Sequence, residues 1–557
     1  MIRLFEQHVV RRQQELDGLW EFVREDGKHY RLMVPGCWEQ HPDMKNYRGA
    51  GTYLKKVTVT ETTDLRLEFK GVSHTADIYF DDIFVAHHYN AFTPFSGLVK
   101  AVSPGEHTIR AEVHNRFDEA SALHIPNDYY TYGGIVRPVV MEYVNNTYVE
   151  RVSFRPVREE TANGEASWKA EITAWIRNTG EQAEAISVSG ELAGQTICEQ
   201  QKMVEAGSEA ILHWTMSFAD INEWNPENPN LYMLKLWLKK EGRICDDYQE
   251  RVGFRTIESK NQKLYLNGKP IFLKGFNRHE DYGVIGCAIP PQLMVQDMEI
   301  LQDMGANAVR TCHYPNDERF LDLCDERGIL VWEENHARGL GLKEMQNPNF
   351  ERQCADCIEE MIKNHVNHPS IIIWGILNEC ASETPEGREM YQKQYAQIKN
   401  LDDSRLTTSA TCRHFKDICL DLPDIVSFNM YAGWYEDVPV KERHDQEMDW
   451  IQASGGAEKP IIVSEFGAAA MYGFRDRGHC KWSEERQEDI IRENLETFQK
   501  DDRLSGVFIW QYADCRVTEE GGWFASRARC HNNKGILDEY RRPKQAYDMI
   551  KEMFAKM

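Results

Sequence analysis

Over the first 147 residues apolar and polar positions alternate in short runs, GTYLKKVTVT, DLRLEF, TADIYFDDIFVAH and HTIRAEVHNR, broken by Gly, Asp and Pro. Alternation puts one face of each run in a core and the other in water, so the segment predicts antiparallel strands of a jelly-roll β-sandwich. From 148 to 257 the runs EASWKAEITAWIRN, AISVSGELAG and LYMLKLWLKKEG repeat the pattern, and YQERVGFRTIE closes a smaller, immunoglobulin-like β-sandwich. After LNGKP, whose Asn-Gly pair signals a hairpin turn, the pattern changes. Short apolar strands, IFLKGFN, ANAVRT, GILVWEE, IIIWGIL, LTTSAT, DIVSFNMY, PIIVSEFG and GVFIWQY, now alternate with amphipathic stretches such as PQLMVQDMEILQDMG and NPNFERQCADCIEEMIKNH. Strands that are apolar on both faces belong to parallel sheets covered by helices. Eight strand-helix units therefore predict a closed (β/α)8 TIM barrel over residues 258–557. The expected fold is a multidomain β and α/β chain of three units, 1–147, 148–257 and 258–557.

Composition narrows the function. With 557 residues, 41% hydrophobic and 28% charged, the chain has ample core material and is expected to be ordered almost throughout. The start, MIRLFEQHVVRRQQELDGLW, is charged where a secretory signal would be apolar, and no later run has the length of a membrane span. Fourteen cysteines lie scattered, with one CxxC, Cys354 to Cys357, on a predicted helix. This usage points to reduced thiols in the cytoplasm, and to neither a metal site nor a cofactor. The formal net charge of −24 argues against nucleic acid and anionic membranes as partners. An anionic ligand would need a local cationic pocket, since charge is screened beyond roughly 8–10 Å at cell ionic strength.

In a (β/α)8 barrel the chemistry lies at the C-terminal ends of the strands. Each predicted strand end carries polar residues, among them Asn277, Arg310, His313, Glu334, Asn429 and Asp514. Two carboxylates stand out: Glu379 after the fourth strand and Glu465 after the seventh, facing each other across the mouth. Such a pair suits glycosidic cleavage. One carboxyl donates a proton to the leaving oxygen, the other attacks the anomeric carbon, and a separation of about 5–5.5 Å gives retention.

Asn378-Glu379 after strand four and SEFG after strand seven, together with GFNRHED and RTCHYPND, resemble the motifs of the retaining glycoside hydrolases of family 2. LDGLWEF and AFTPF extend the resemblance to that family's sugar-binding domain, so it spans the whole chain. The resemblance implies that Glu379 is the general acid/base and Glu465 the nucleophile. It further implies that Asn378 meets the sugar 2-hydroxyl, Tyr431 and Tyr435 belong to the pocket, Trp510 is its floor, and Asp128 and His313 serve the same subsite. In HNNKG, Asn532 and Lys534 resemble the Asn-x-Lys pair with which β-glucuronidases hold the C6 carboxylate of the sugar, which would supply the local cation. The arginine such enzymes place shortly before that motif falls on Ala528 in an ungapped reading, with Arg527 and Arg529 beside it. Arg338, in EENHARG, stands where the family usually has an apolar residue; a guanidinium there could bond an epimeric hydroxyl or the carboxylate itself. A shorter stretch between Glu334 and Asn367 implies an open cleft. The expected activity is that of a retaining exo-β-hexuronidase acting on glucuronides, galacturonides or both, in a homo-oligomer. A β-galactosidase of the same family and a non-catalytic carbohydrate-binding protein are the alternatives.

Overall fold

The computed structural model describes residues 2–160, 166–519 and 522–557. In the N-terminal part a six-stranded and a four-stranded antiparallel sheet face each other. Trp20, Phe22, Tyr53 and Ile109 of the first sheet share one core with Leu65, Leu67, Phe69 and Met141 of the second. Strands such as Thr75–Phe80 bury every second side chain, as the alternating sequence requires. A second sandwich of three and four strands, from Thr147–Glu160 to Arg243–Val252, closes over Ile172, Val188, Leu212 and Leu236.

Eight parallel strands then form a closed barrel: β1 (Leu273–Asn277), β2 (Ala308–Thr311), β3 (Leu330–Glu334), β4 (Ile371–Ile376), β5 (Leu406–Thr411), β6 (Val426–Asn429), β7 (Ile461–Phe466) and β8 (Leu504–Ile509). Every residue of β2, β3, β4, β6, β7 and β8 is buried, which is why their sequences are apolar runs and not alternations. A small sheet before the barrel, Ile257–Lys260, Lys263–Leu266 and Lys269–Ile271, turns at Asn267 (φ 51°) and Gly268 (φ 76°). Both residues are left-handed, the geometry for which an Asn-Gly hairpin is suited. Its Ile257, Leu264 and Leu266, with Trp224, pack onto Leu273, Trp332, Ile373 and Phe508 and so fill that part of the barrel interior.

The first sandwich reaches the barrel through the irregular segment between His114 and Gly134. Asn127 N donates to Thr518 Oγ1 (3.1 Å) and Thr518 N to Asn127 O (3.2 Å), while Arg137 Nη2 donates to Glu280 Oε2 (2.8 Å). Among the described residues no helix is long and apolar enough to cross a membrane.

Candidate active site

Glu379 follows β4 where the backbone leaves the extended conformation, with φ of 39° at Leu377 and 55° at Glu379. Left-handed backbone at non-glycine residues costs energy and persists only where surrounding contacts impose it. Here Glu379 N donates to Ala410 O of β5 (2.9 Å), Asn378 N to Ala337 O (3.0 Å) and Gly339 N to Asn378 O (2.8 Å). The last two bonds clip residues 337–339 onto the end of β4 and bring Arg338 beside the carboxyl, Nη2 to Glu379 Oε2 3.5 Å. Arg338 Nη1 also donates to Asn127 Oδ1 of the first sandwich (2.8 Å). The other carboxyl oxygen of Glu379 accepts from Asn429 Nδ2 (2.8 Å), and Ser464 Oγ donates to Asn429 Oδ1 (2.7 Å), fixing that amide's orientation.

Glu465, on β7, is 3% exposed. Its Oε1 accepts from Arg310 Nη1 (2.9 Å) and its Oε2 from the Tyr431 hydroxyl (2.7 Å). Arg310 is itself fully buried: it grips Glu334 through two bonds (2.9 and 3.0 Å), Asn277 Oδ1 (3.0 Å) and Asn378 Oδ1 (2.8 Å). With its oxygen committed to Arg310, Asn378 keeps a buried Nδ2 that has no partner among the described residues. Burial first, and the neighbouring Glu379 charge second, push the Glu465 carboxyl up to about 7, against the lowering pull of Arg310 and Tyr431.

Both glutamates line a cavity of about 390 Å³ with Asp128, Arg338, Cys412, His414, Asn429, Tyr431, Tyr435, Glu436, Trp510, Arg527 and Lys534. Lys534 is 1% exposed; its Nζ donates to the Tyr435 hydroxyl (2.7 Å) and lies 4.8 Å from the centroid of that ring and 5.4 Å from that of Tyr431. No carboxylate among the described residues comes within 4 Å of the Lys534 ammonium, so a buried cation faces the cavity without an ionic partner. Burial, then the Arg527 charge, lower its pKa. Asp128 is gripped by Arg527 at two points (3.0 and 2.6 Å) and by Asn532 Nδ2 (2.9 Å).

The predicted residues thus converge, except that three of them do not line the cavity: Asn378, 1% exposed, lies beneath the wall, and so do Asn532 and His313. Asn532 does not stand beside Lys534 at the cavity wall; it is fully buried and spends its amide on Asp128, because the short strand His531–Asn532 ends there and the chain turns through 533 and 534, so the two side chains no longer share a face. His313 is also fully buried and absent from the lining: its ring stacks against Trp510 (centroids 5.1 Å apart) and its Nδ1 lies 2.6 Å from Glu334 Oε1, while its Nε2 has no partner among the described residues. Arg527 was not assigned a role from sequence. The flanking pair Arg527 and Arg529 was the available signal, and the fold separates them, with Arg529 Nη2 3.5 Å from Glu539 instead. Arg310, Asn277 and Glu334 were legible only as polar strand ends, and Cys412, His414 and Glu436 gave no signal. Behind Trp510, His279, Cys312 and His313 offer buried donor atoms within 4.8 Å of one another, a set that could hold a metal ion.

Comparison with known proteins places the chain. The model of the glycosyl hydrolases family 2 TIM barrel domain matches residues 257–557, and that of glycosyl hydrolases family 2 matches residues 147–255. The chain is 25% identical over 598 residues to the β-glucuronidase of Streptococcus agalactiae, covering 97% of this chain and 95% of that protein. A family 2 β-galacturonidase from Eisenbergiella tayi, solved bound to galacturonate, superposes with a TM-score of 0.95 at 45% identity, over 100% of this chain and 99% of the other. The β-D-glucuronidase of Dictyoglomus thermophilum superposes with a TM-score of 0.85 at 25% identity, over 100% and 99%.

Proposed function

This chain belongs to glycosyl hydrolase family 2 and is a glycoside hydrolase, and on that premise we propose that it is a retaining exo-β-hexuronidase whose preferred glycone is β-D-galacturonate. The observation that carries the uronide reading is Lys534, a buried ammonium on the cavity wall with no carboxylate partner among the described residues. A sugar carboxylate at C6 would supply that partner, with the Tyr435 hydroxyl beside it. Galacturonate is placed ahead of glucuronate on two grounds: the 45% identity to a β-galacturonidase, and the Arg338 guanidinium on the cavity wall, suited to an axial 4-hydroxyl or to the carboxylate.

In the proposed reaction Glu379 gives its proton to the glycosidic oxygen as the bond to the anomeric carbon breaks. Glu465 supplies the electron pair that forms the glycosyl ester. Water, deprotonated by Glu379, then attacks the same carbon, the ester bond breaks, and the free uronic acid leaves with Glu465 ionised again. Arg310 and Tyr431 hold both oxygens of Glu465 in place for attack, and the free Nδ2 of Asn378 is the donor for the 2-hydroxyl, a bond that strengthens as positive charge grows on the ring. Asp128, oriented by Arg527 and Asn532, accepts from the remaining ring hydroxyls. Fourteen unpaired cysteines support a reducing compartment such as the cytoplasm.

Rates on the 4-nitrophenyl β-D-galacturonide, glucuronide and galactoside test the reading. Both uronides should exceed the galactoside, the galacturonide leading. A preference for the galactoside would overturn the carboxylate clamp, and a preference for the glucuronide would overturn the role given to Arg338 alone.

A further inference from the structure

Resting on the hexuronidase reading, we infer that the cavity continues past Glu379 into a built subsite for a sugar aglycone, with His414 as the side chain that bonds it. The leaving oxygen must take its proton from Glu379, so the aglycone departs on the Glu379 side. That side is made by the loop after β5. Ala410 O accepts from Glu379 N (2.9 Å), and Arg413 of the same loop donates through Nε to Cys380 O (3.2 Å) and through Nη2 to Glu379 O (3.3 Å). Cys412 and His414 from this loop, with Glu436 from the loop after β6, line the cavity there.

His414 is held from behind. Its Nδ1 is buried 2.8 Å from Glu447 Oε1, an ionic contact outside hydrogen-bond geometry, and Glu447 is fully buried. Arg443, one helical turn earlier on Val440–Ile451, lies with Nε 3.0 Å from the same Glu447 oxygen and donates through Nη2 to Glu436 Oε1 (3.1 Å). One helix therefore positions two lining side chains: Glu447 sets the ring of His414, and Arg443 sets Glu436. With Nδ1 buried against the Glu447 carboxylate, Nε2 is the ring nitrogen left to face the cavity. Exact placement of this kind is of no use to an apolar aglycone. It suits a group with hydroxyls at defined positions, and the polar lining of His414 and Glu436 fits a second sugar ring better than a hydrocarbon surface.

The test uses the hexuronide series that the wild-type enzyme prefers, with three aglycones: 4-nitrophenyl, methyl, and glucose linked through O4. The methyl glycoside has a poor leaving group and no hydroxyls, so it separates loss of aglycone binding from disturbance of Glu379. His414→Ala should lower kcat/KM on the disaccharide about tenfold, the value of one hydrogen bond to a positioned group, and leave the methyl and nitrophenyl glycosides within about threefold. His414→Gln should recover part of the loss, and Glu447→Gln, which frees the ring, should reproduce it. Equal losses on the methyl glycoside and the disaccharide, or no loss on any substrate, would overturn the subsite. Should the wild-type enzyme turn over none of the uronides, the hexuronidase reading fails first and takes the subsite with it.

Discussion

At the scale of single residues the carboxylate pair makes the sharpest predictions. Glu465 titrates near 7 because burial, and then Glu379, penalise its ionised form. Below that value it is protonated and cannot attack, so kcat/KM should rise with pH through about 7. Tyr431→Phe removes a hydroxyl that stabilises the anion and should move this acid limb to higher pH; Glu379→Gln removes the repelling charge and should move it lower, on an activated aryl substrate that scarcely needs the acid. A limb unmoved by either change would show that another group controls it. Lys534→Ala should cost roughly 2–5 kcal/mol in transition-state binding for uronides and leave the slow neutral-sugar rate unchanged, read as the ratio of kcat/KM values. Glu379 and Glu465 were legible in sequence as a pair of carboxylates at the ends of two apolar barrel strands, whereas Lys534, in the long loop after β8, was reached only through the resemblance of HNNKG to an Asn-x-Lys pair. The partner of Asn532 and the role of Arg527 could not be read, because the loops after β8 have no periodicity from which side-chain direction follows.

At the scale of elements, apolar runs revealed most barrel strands, since a strand buried on both faces is largely apolar; β5, LTTSAT, carries short hydroxyl side chains instead, and Thr408 Oγ1 meets Ser427 Oγ of β6 (2.7 Å). The same reasoning fails for buried charge. In the helix Pro291–Asp303, Asp297 falls on the face of Met294, Met298 and Leu301, where pattern alone reads a break in the stripe. The structure fills that break: fully buried Asp297 accepts from Arg278 at the end of β1 (2.8 and 2.9 Å) and from Arg541 near the C-terminus (2.7 and 3.3 Å), and the Tyr512 hydroxyl adds a third contact (3.1 Å). Those guanidiniums hold its carboxyl below the ordinary range in spite of burial, which alone would raise it. Removing one partner from a buried ionic network leaves charge without compensation, so Asp297→Ala should destabilise the fold by about 3–5 kcal/mol. Urea unfolding measures this. A change under about 1 kcal/mol would mean that water reaches the two arginines.

Across the whole molecule the question is why a barrel with its own carboxylates needs a sandwich attached. Strand patterns announced both architectures but not their juncture, because the bonds that make it join residues about four hundred positions apart, Asp128 to Arg527 and Asn532. The net charge of −24 sharpens the need. An anion approaching this surface must find its cations close by, and Lys534, Arg527, Arg338 and Arg310 gather at one cavity and its back wall. Unpaired, Arg527 would compete with Lys534 for a sugar carboxylate and bind it in the wrong place; Asp128 neutralises Arg527 and is in turn oriented by it. On the proposed reading the two side chains act as a unit, a sugar-facing acceptor assembled from both parts of the chain. Asp128→Ala and Arg527→Ala should each lower kcat/KM for the preferred uronide, and the double variant should lose little more than the worse single one. The coupling expected for groups in direct contact is about 0.5–3 kcal/mol. Losses that simply add would mean that Asp128 and Arg527 meet the sugar independently, and the sandwich would then contribute a contact but no organisation of the cationic wall.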